Sequence, residues 1–210
     1  GIDISMWQGN DINFQEVKES GVQFVMIRGG YSCTKDPYFE QNYAGAKAAG
    51  LKIGIYWFSY ARNTAEAKQE AQYCLSALSG KSLNYPIYFD WEDDSLSNCK
   101  NSGIYPTKQM ATNFAKTFCS TIEAGGRKAG VYSNVNYLNL YFDYWNQLSN
   151  YSLWVACWGT SGPPYNCDIW QFADDGYVNG ISGRVDMNYH FESRENMKYF
   201  TMIIVMSDSH

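Results

Sequence analysis

The sequence has few of the residues on which several common kinds of functional site depend. Its two histidines, His190 and His210, are too few for a histidine-rich metal site. None of the six cysteines belongs to a C-x-x-C pair, which argues against a zinc site. No G-x-S-x-G motif of a serine hydrolase occurs, and no spacing connects a cysteine nucleophile to His190. We therefore look elsewhere for catalytic groups.

Long apolar runs and clusters of positive charge are also missing. The longest apolar run, residues 199–206, is too short to span a bilayer. Lysine and arginine are scattered and the net charge is -5, which argues against a nucleic-acid surface. We expect no nucleic-acid partner, no membrane span and no signal peptide in this chain.

Aromatic residues are abundant instead. They make up 17% of the 210 residues, with 18 tyrosines and 7 tryptophans, a composition typical of one globular domain. Such residues build a large core, or a cleft whose walls stack on the rings of a ligand. Among the cysteines, Cys74 and Cys119 fall on the apolar faces of predicted helices and should be buried thiols. Cys157 and Cys167 flank one loop and could form a disulfide.

Strands and helices alternate along the first two thirds of the chain. This pattern predicts a parallel sheet with helices outside it. The predicted strands are residues 1–5, 24–27, 52–59, 87–92 and 128–133. The predicted helices begin at Asn13, Asp36, Asn63, Thr107 and Asn136.

The pattern changes after residue 150. Three further strands are predicted at 153–158, 169–173 and 184–189, joined by loops that look too short and too rich in glycine and proline for helical crossovers. Hairpins are favoured there. The sum is an α/β fold, an irregular TIM-like (β/α)5(β)3 barrel of eight strands and five helices. We assign residues 1–191 to it and residues 192–210 to a tail or the start of a linker.

One strand carries two carboxylates in an apolar setting. Side chains alternate along a strand, so Asp90 and Glu92 should point to the same side of strand 87–92, together with Tyr88. Two buried carboxylates are costly unless they have a task. Asp93 and Asp94 lie beyond the strand and read as cap or loop anchors.

The other inward acids, Asp3 and Asp186, also lie near strand ends, where the functional face of a parallel barrel is found. A pair of carboxyl groups, one protonated and one ionised, is the usual apparatus of glycoside hydrolysis. The competing interpretation is a divalent-metal site built from the four acids.

Several short motifs together resemble the lysozymes of glycoside hydrolase family 25, the Chalaropsis-type N-acetylmuramidases common in bacteria and phage endolysins. The resemblance covers about residues 1–191, and the order and spacing of the motifs carry it. The motifs are Gly1-Ile2-Asp3-Ile4-Ser5 followed by Trp7-Gln8, Asp90-Trp91-Glu92, Leu153-Trp154-Val155-Ala156, Trp170-Gln171-Phe172 and Val185-Asp186-Met187-Asn188.

This resemblance implies cleavage of the β-1,4 bond between N-acetylmuramic acid and N-acetylglucosamine in peptidoglycan. It makes Glu92 the general acid and Asp90 its partner, which could act through the 2-acetamido group of the substrate. Asp3 and Asp186 match supporting acids of the active site, and Tyr56 and Tyr132 match tyrosines of the cleft. The further candidates for the cleft wall are Tyr88, Trp7, Trp158, Gln171 and Asn188.

The implied partner is a glycan strand of peptidoglycan. We expect a monomer without cofactor or metal, secreted or released to the bacterial cell wall as a phage endolysin or a bacterial autolysin. Two alternatives stay open. One is another β-glycosidase such as a chitinase, although the D-x-x-D-x-D-x-E run of the common chitinases is missing. The other is a barrel that binds glycan without cleaving it.

Overall fold

The structure, a computed structural model, describes residues 1–192. This part of the chain contains nine strands and six α-helices. The strands are β1 (Ile2–Ile4), β2 (Phe24–Tyr31), β3 (Thr34–Lys35), β4 (Lys52–Phe58), β5 (Ile87–Asp90), β6 (Ala129–Asn134), β7 (Ser152–Ala156), β8 (Ile169–Gly176) and β9 (Val185–His190). The helices are α1 (Phe14–Glu19), α2 (Phe39–Ala48), α3 (Thr64–Ala77), α4 (Asp93–Asn101), α5 (Lys108–Ala124) and α6 (Val135–Leu140). The predicted tail, residues 192–210, lies outside the described residues except for Glu192.

The strands form a single sheet that closes on itself. Their order is β1-β9-β8-β7-β6-β5-β4-β2-β3, and a further pairing of β1 with β2 completes the ring. Strand β3 is a two-residue edge that pairs with β2 and lies outside this ring. The barrel therefore has eight strands, and the predicted irregular TIM-like barrel is confirmed.

Strand direction is the same around most of the ring. The pairings from β1 through β2, β4, β5, β6 and β7 to β8 are parallel. Strand β9 alone among the eight runs the other way, antiparallel to both β8 and β1. The carboxyl ends of seven strands thus meet at one end of the barrel, where barrel enzymes of this class place their functional loops.

The expectation of hairpins among the last three strands is half wrong. Strands β8 and β9 do form an antiparallel pair, but β7 and β8 are parallel, with Trp154 opposite Ile169. Residues 157–168 make this crossover without a helix. A parallel connection needs about a dozen residues and usually, though not always, contains a helix. The absence of a helical pattern was therefore a poor guide to strand direction.

The helices also differ from the five predicted. Residues 93–101, which belong to none of the five predicted helices, form α4. Its acidic first turn is favourable at the positive end of a helix dipole, and Leu96 and Cys99 bury its inner side. The segment predicted as one helix from Asn136 onward divides into α6 and a separate π-helical turn, Tyr144–Leu148. Within residues 1–192, no helix has the length and apolar content needed to cross a bilayer.

Two apolar layers hold the barrel. The larger layer lies between the strands and the surrounding helices and includes Trp57, Phe89 and Phe118. The smaller layer fills the barrel interior with Phe24, Met26, Tyr88, Tyr132, Trp154, Ala156 and Ile169. The rings of Tyr88 and Tyr132 meet the Trp154 ring at centroid distances of 5.4 and 4.6 Å. This interior layer is the floor on which polar groups at the carboxyl ends of the strands rest.

All six cysteines are free thiols. Cys74 and Cys119 are fully buried, as predicted from their helix faces. Cys157 and Cys167 are not bridged, so the disulfide considered for them does not form in this structure. A core of this size is sufficient to hold a domain without one.

We expect Asn63→Ala to lower the free energy of unfolding by about 1 kcal/mol, because the Asn63 side chain caps α3. Its Oδ1 accepts a hydrogen bond from the Glu66 N–H at 2.9 Å. Urea denaturation should show a lower midpoint with an unchanged slope. Asn63→Ser keeps a capping oxygen and is the matched control. Equal stability of the Ala and Ser variants would contradict the assigned cap.

Candidate active site

A cleft with a cavity volume of ≈ 230 Å³ opens at the carboxyl end of the barrel. The four acids singled out in the sequence all line it. Its full lining is Asp3, Ser5, Trp7, Gln8, Arg28, Tyr56, Phe58, Asp90, Glu92, Tyr132, Trp154, Gln171 and Asp186. Within residues 1–192, no three His, Cys, Asp or Glu side chains are arranged so that they could hold a metal ion. The structure therefore gives no support to a divalent-metal site.

Asp90 and Glu92 reach the cleft because the extended backbone continues past the strand. Strand β5 ends at Asp90, but Glu92 keeps extended dihedral angles, with φ -137° and ψ -158°. The alternation of side chains therefore persists for two more residues. Trp91 points the other way and is fully buried among Tyr137, Tyr141 and Phe142.

Asp3 and Asp186 are brought together by strand register. Strand β9 pairs with β1 so that these two residues stand directly opposite each other. The Gln171 Nε2 group donates to Asp3 Oδ2 at 2.9 Å and to Asp186 Oδ2 at 3.3 Å. Asn188 Nδ2 donates to the same Asp3 oxygen at 2.7 Å. Two amides thus hold this second carboxyl pair in place.

Burial shifts the titration of all four acids. It raises the pKa of Glu92 from 4.5 to about 7, and the nearby charges of Asp93, Asp3 and Asp94 add to the rise while the Tyr132 hydroxyl opposes it. Burial and the Asp3 carboxylate raise the pKa of Asp186 to about 8. Burial also raises the pKa of Asp3, against the hydrogen bonds that it accepts.

Asp90 is more deeply buried than Glu92. It is 4% exposed, and burial together with the charges of Glu92 and Asp3 raises its pKa well above the ordinary range. The guanidinium of Arg28 acts in the opposite direction and lowers it. The ionisation of Asp90 is therefore a balance between burial among acids and one nearby cation.

Aromatic and amide groups connect the two carboxyl pairs. The Tyr132 hydroxyl donates to Gln171 Oε1 at 3.2 Å, and the Trp158 indole N–H donates to the same oxygen at 3.1 Å. Tyr56 and Tyr132 both line the cleft. Below them, Trp154 donates its indole N–H to Asn188 Oδ1 at 2.8 Å.

The remaining candidates for the cleft wall differ in how exposed they are and in whether they line the cleft. Trp7 lines the cleft and is 76% exposed. Trp158 is half exposed and is not among the lining residues, but its indole N–H donates to the lining residue Gln171. Tyr88 does not line the cleft. It is fully buried in the barrel interior and its hydroxyl is paired with Ser152 Oγ at 2.8 Å. Asn188 is also buried and supports Asp3 from below.

The correction for Tyr88 has a simple geometric reason. It points to the same side of β5 as Asp90, as predicted, but two residues earlier and therefore about 7 Å deeper along the strand. At that depth the barrel is packed with side chains. Strand alternation predicts the side on which a residue lies and does not predict its depth.

Sequence reasoning missed Arg28 as a cleft residue. Arg28 follows the buried apolar run 24–27 of β2 and precedes Gly29 and Gly30. A lone charge at the carboxyl end of an apolar strand is the same signal that identified Asp90, so it was available in the sequence. Ser5, Gln8, Phe58 and Trp154 were also missed as lining residues.

Comparison with known proteins agrees with this architecture. Residues 2–181 match the model of the family described as glycosyl hydrolases family 25. The chain belongs to this family. It is 34% identical over 192 residues to the autolytic lysozyme of Clostridium acetobutylicum, covering 90% of this chain and 54% of that protein. It is 33% identical over 199 residues to lysozyme M1 of Streptomyces globisporus, covering 90% of this chain and 66% of that protein.

Solved structures related to this family 25 chain have the same fold. The lysozyme of Streptomyces coelicolor superposes with a TM-score of 0.77 at 26% identity, covering 95% of each chain. The modular autolysin LytC of Streptococcus pneumoniae, solved in complex with a synthetic peptidoglycan ligand, superposes with a TM-score of 0.77 at 26% identity. That match covers 89% of this chain and 45% of LytC. The chain thus spans only part of several of its relatives.

We expect Glu92→Gln to stabilise the fold at pH 8. Because the pKa of Glu92 is higher in the folded state than its ordinary 4.5, the unfolded chain releases this proton first as pH rises. Ionisation of Glu92 therefore costs stability, which is lost between about pH 4.5 and about pH 7. Above pH 7 the full cost is on the order of 1–3 kcal/mol, and glutamine avoids it because it cannot ionise. Urea denaturation at pH 8 and pH 4 measures the gain, which should shrink at pH 4. Glu19→Gln on the exposed side of α1 is the control. An equal gain at both pH values would contradict this origin.

Proposed function

We propose that this chain is a peptidoglycan hydrolase, a lysozyme of the muramidase type. It cleaves the β-1,4 bond between N-acetylmuramic acid and N-acetylglucosamine. The observation that carries the proposal is the pair Asp90 and Glu92 in one cleft, with the pKa of Glu92 raised to about 7. A carboxylic acid that keeps its proton near neutrality can assist a leaving oxygen, as glycoside hydrolysis requires. The names of the relatives, lysozymes and an autolysin, support the substrate class.

In this proposal Glu92 is the general acid. It transfers its proton to the bridging oxygen as the bond from that oxygen to the anomeric carbon breaks. Asp90 is the partner carboxylate, which stabilises the positive charge that develops at the sugar, either directly or by orienting the 2-acetamido group as its oxygen attacks the anomeric carbon. Water then completes the hydrolysis and returns a proton to Glu92.

The second carboxyl pair has a supporting role. At neutral pH Asp186, with its pKa raised to about 8, holds a proton and hydrogen-bonds to Asp3. Together with Gln171 this pair lines the cleft, while Tyr56, Tyr132 and the exposed Trp7 supply surfaces on which sugar rings can stack. The proposed partner is a glycan strand of peptidoglycan, and the proposed place of action is the bacterial cell wall.

Digestion of purified peptidoglycan tests the bond. New reducing ends are trapped with borohydride and the fragments are read by mass spectrometry. We expect reduced muramic acid at the new ends. Glu92→Gln should lose nearly all turnover, by a factor of about 10² or more, because a positioned acid contributes 10²–10⁴-fold. Asp90→Asn should also lose activity.

The alternatives give different products in the same digest. Reduced glucosamine at the new ends would keep the hydrolase and overturn the bond assignment. Activity on chitin oligomers alone would make the chain a different glycosidase. Glycan affinity without any new end, or full activity in a folded Glu92→Gln protein, would overturn the catalytic proposal.

The pH profile provides an independent check. We expect kcat/KM on a soluble glycan fragment to fall as pH rises through about 7, because the free protein must hold the Glu92 proton, whose pKa is raised to about 7. Initial rates in buffers of constant ionic strength from pH 4 to 9 measure this. A rate that stays flat to pH 9 would be incompatible with Glu92 as the proton donor.

A further inference from the structure

Three aromatic side chains adjoin the cleft on the side of β2 and β4. They are Tyr31 at the end of β2, Phe58 at the end of β4, and Tyr60 just beyond β4. All three are partly exposed, and of the three only Phe58 is among the lining residues of the cleft. Single exposed rings on a surface are ordinary, but a group of them continuous with a cleft is a place where a ligand can bind.

Strand register connects these aromatic residues to Asp90. Phe58 stands opposite Tyr31 in the pairing of β4 with β2, and opposite Asp90 in the pairing of β4 with β5. Neighbouring strands are about 4.8 Å apart, so the backbones of Tyr31 and Asp90 lie roughly 10 Å apart across the rim of the barrel. A chain of sugars with one unit at Asp90 can therefore follow this row of residues from β5 to β2.

The two rings that do not line the cleft each contact a residue that does. The Tyr60 ring meets the Phe58 ring with the centroids 5.1 Å apart and the planes tilted by 52°. The guanidinium carbon of Arg28 lies 5.5 Å from the centroid of the Tyr31 ring, within the range of a cation–π contact. Both Phe58 and Arg28 line the cleft. We call Tyr31, Phe58 and Tyr60 the aromatic platform, and it is continuous with the cleft.

The backbone of Tyr60 is held from both sides by hydrogen bonds. Its N–H donates to Glu70 Oε1 at 2.9 Å, and its carbonyl oxygen accepts from Asn98 Nδ2 at 2.9 Å. Glu70 is only 2% exposed, and its other oxygen accepts from Ser59 Oγ at 2.5 Å. The Ser59 N–H in turn donates to the Asp90 carbonyl oxygen at 2.7 Å. A buried carboxyl group is costly unless it has a task, and the task of Glu70 is to fix the segment that carries Tyr60.

We propose that the aromatic platform is a further subsite of the cleft, which holds a sugar ring of the bound glycan away from the bond that is cleaved. The proposal rests on the proposed function, because its ligand is the same glycan strand. The apolar faces of the three rings suit the C–H faces of a sugar. Because the backbone under Tyr60 is already fixed, little freedom is lost there on binding. The platform thereby supplies binding energy from a part of the substrate that does not react.

Affinity for glycan fragments of increasing length tests the platform without any reference to activity. Peptidoglycan fragments of two, four and six sugars, freed of their stem peptides, are titrated by calorimetry into Glu92→Gln protein, which lacks the proposed proton donor and leaves them intact. We expect affinity to rise with length. Tyr60→Ala in the same background should reduce the affinity gained between two and six sugars by about three- to tenfold, the effect of one lost aromatic contact.

Three further variants serve as controls. Tyr31→Ala removes a ring from another strand and should reduce the same gain, so the test does not depend on one variant. Tyr60→Phe keeps the ring and should keep the gain. Tyr177→Ala removes a ring that is 75% exposed but lies in a separate depression with Gly1 and Val22, so it should leave the gain unchanged. A gain that is unchanged in folded Tyr60→Ala and Tyr31→Ala proteins would overturn the platform, as would an equal loss of affinity for fragments of every length.

Cleavage then separates this inference from the proposed function. In protein with Glu92 intact, kcat/KM should rise from the shortest cleaved fragment to longer ones, and Tyr60→Ala should reduce this rise while leaving kcat/KM for the shortest fragment unchanged. Binding that depends on Tyr60 in a protein that cleaves no glycan would uphold the platform and overturn the hydrolase. Cleavage with the same dependence on length in Tyr60→Ala and wild-type protein would uphold the hydrolase and overturn the platform.

Discussion

The closure of the barrel by one reversed strand is the constraint on which the site depends. Strand β9 runs antiparallel between β8 and β1, and its register places Asp186 opposite Asp3 and Asn188 opposite Gln171. A shift of one residue would turn these side chains to the other face of the sheet. The second carboxyl pair and the amides that hold it therefore exist only in this register, and the ring of strands and the polar network specify each other.

Charge concentration is the second physical theme of the cleft. Four acids are gathered above a floor of Tyr88, Tyr132 and Trp154, where water is largely replaced by aromatic rings. Both burial and mutual repulsion favour their protonated forms. Such an arrangement costs folding free energy when the acids ionise, which is the usual conflict between stability and a working site. Hydrogen bonds from Gln171 and Asn188 offset part of that cost at Asp3.

The sequence predicts the parts of this structure that follow local rules. Alternation along a strand brings Asp90 and Glu92 to one side, and capping residues such as Asn63 mark where helices begin. Prediction from the sequence fails for features that depend on how distant parts of the chain pack together. Nothing local distinguishes the depth of Tyr88 from that of Asp90, and the direction of β8 relative to β7 is decided by closure of the ring. Helix α4 was missed because its acids were read as loop residues, although acids at a helix start are favourable.

Those same acids have a consequence for the chemistry. Glu92 immediately precedes α4, and its backbone N–H donates to Ser95 Oγ at 3.0 Å. The bare start of a helix attracts negative charge and would draw the proton off a neighbouring acid. Burial is the main cause that raises the pKa of Glu92, and the charges of Asp93 and Asp94 in the first turn add to this rise and oppose that attraction. The first turn of α4 thus helps Glu92 to keep its proton, through two side chains that do not line the cleft.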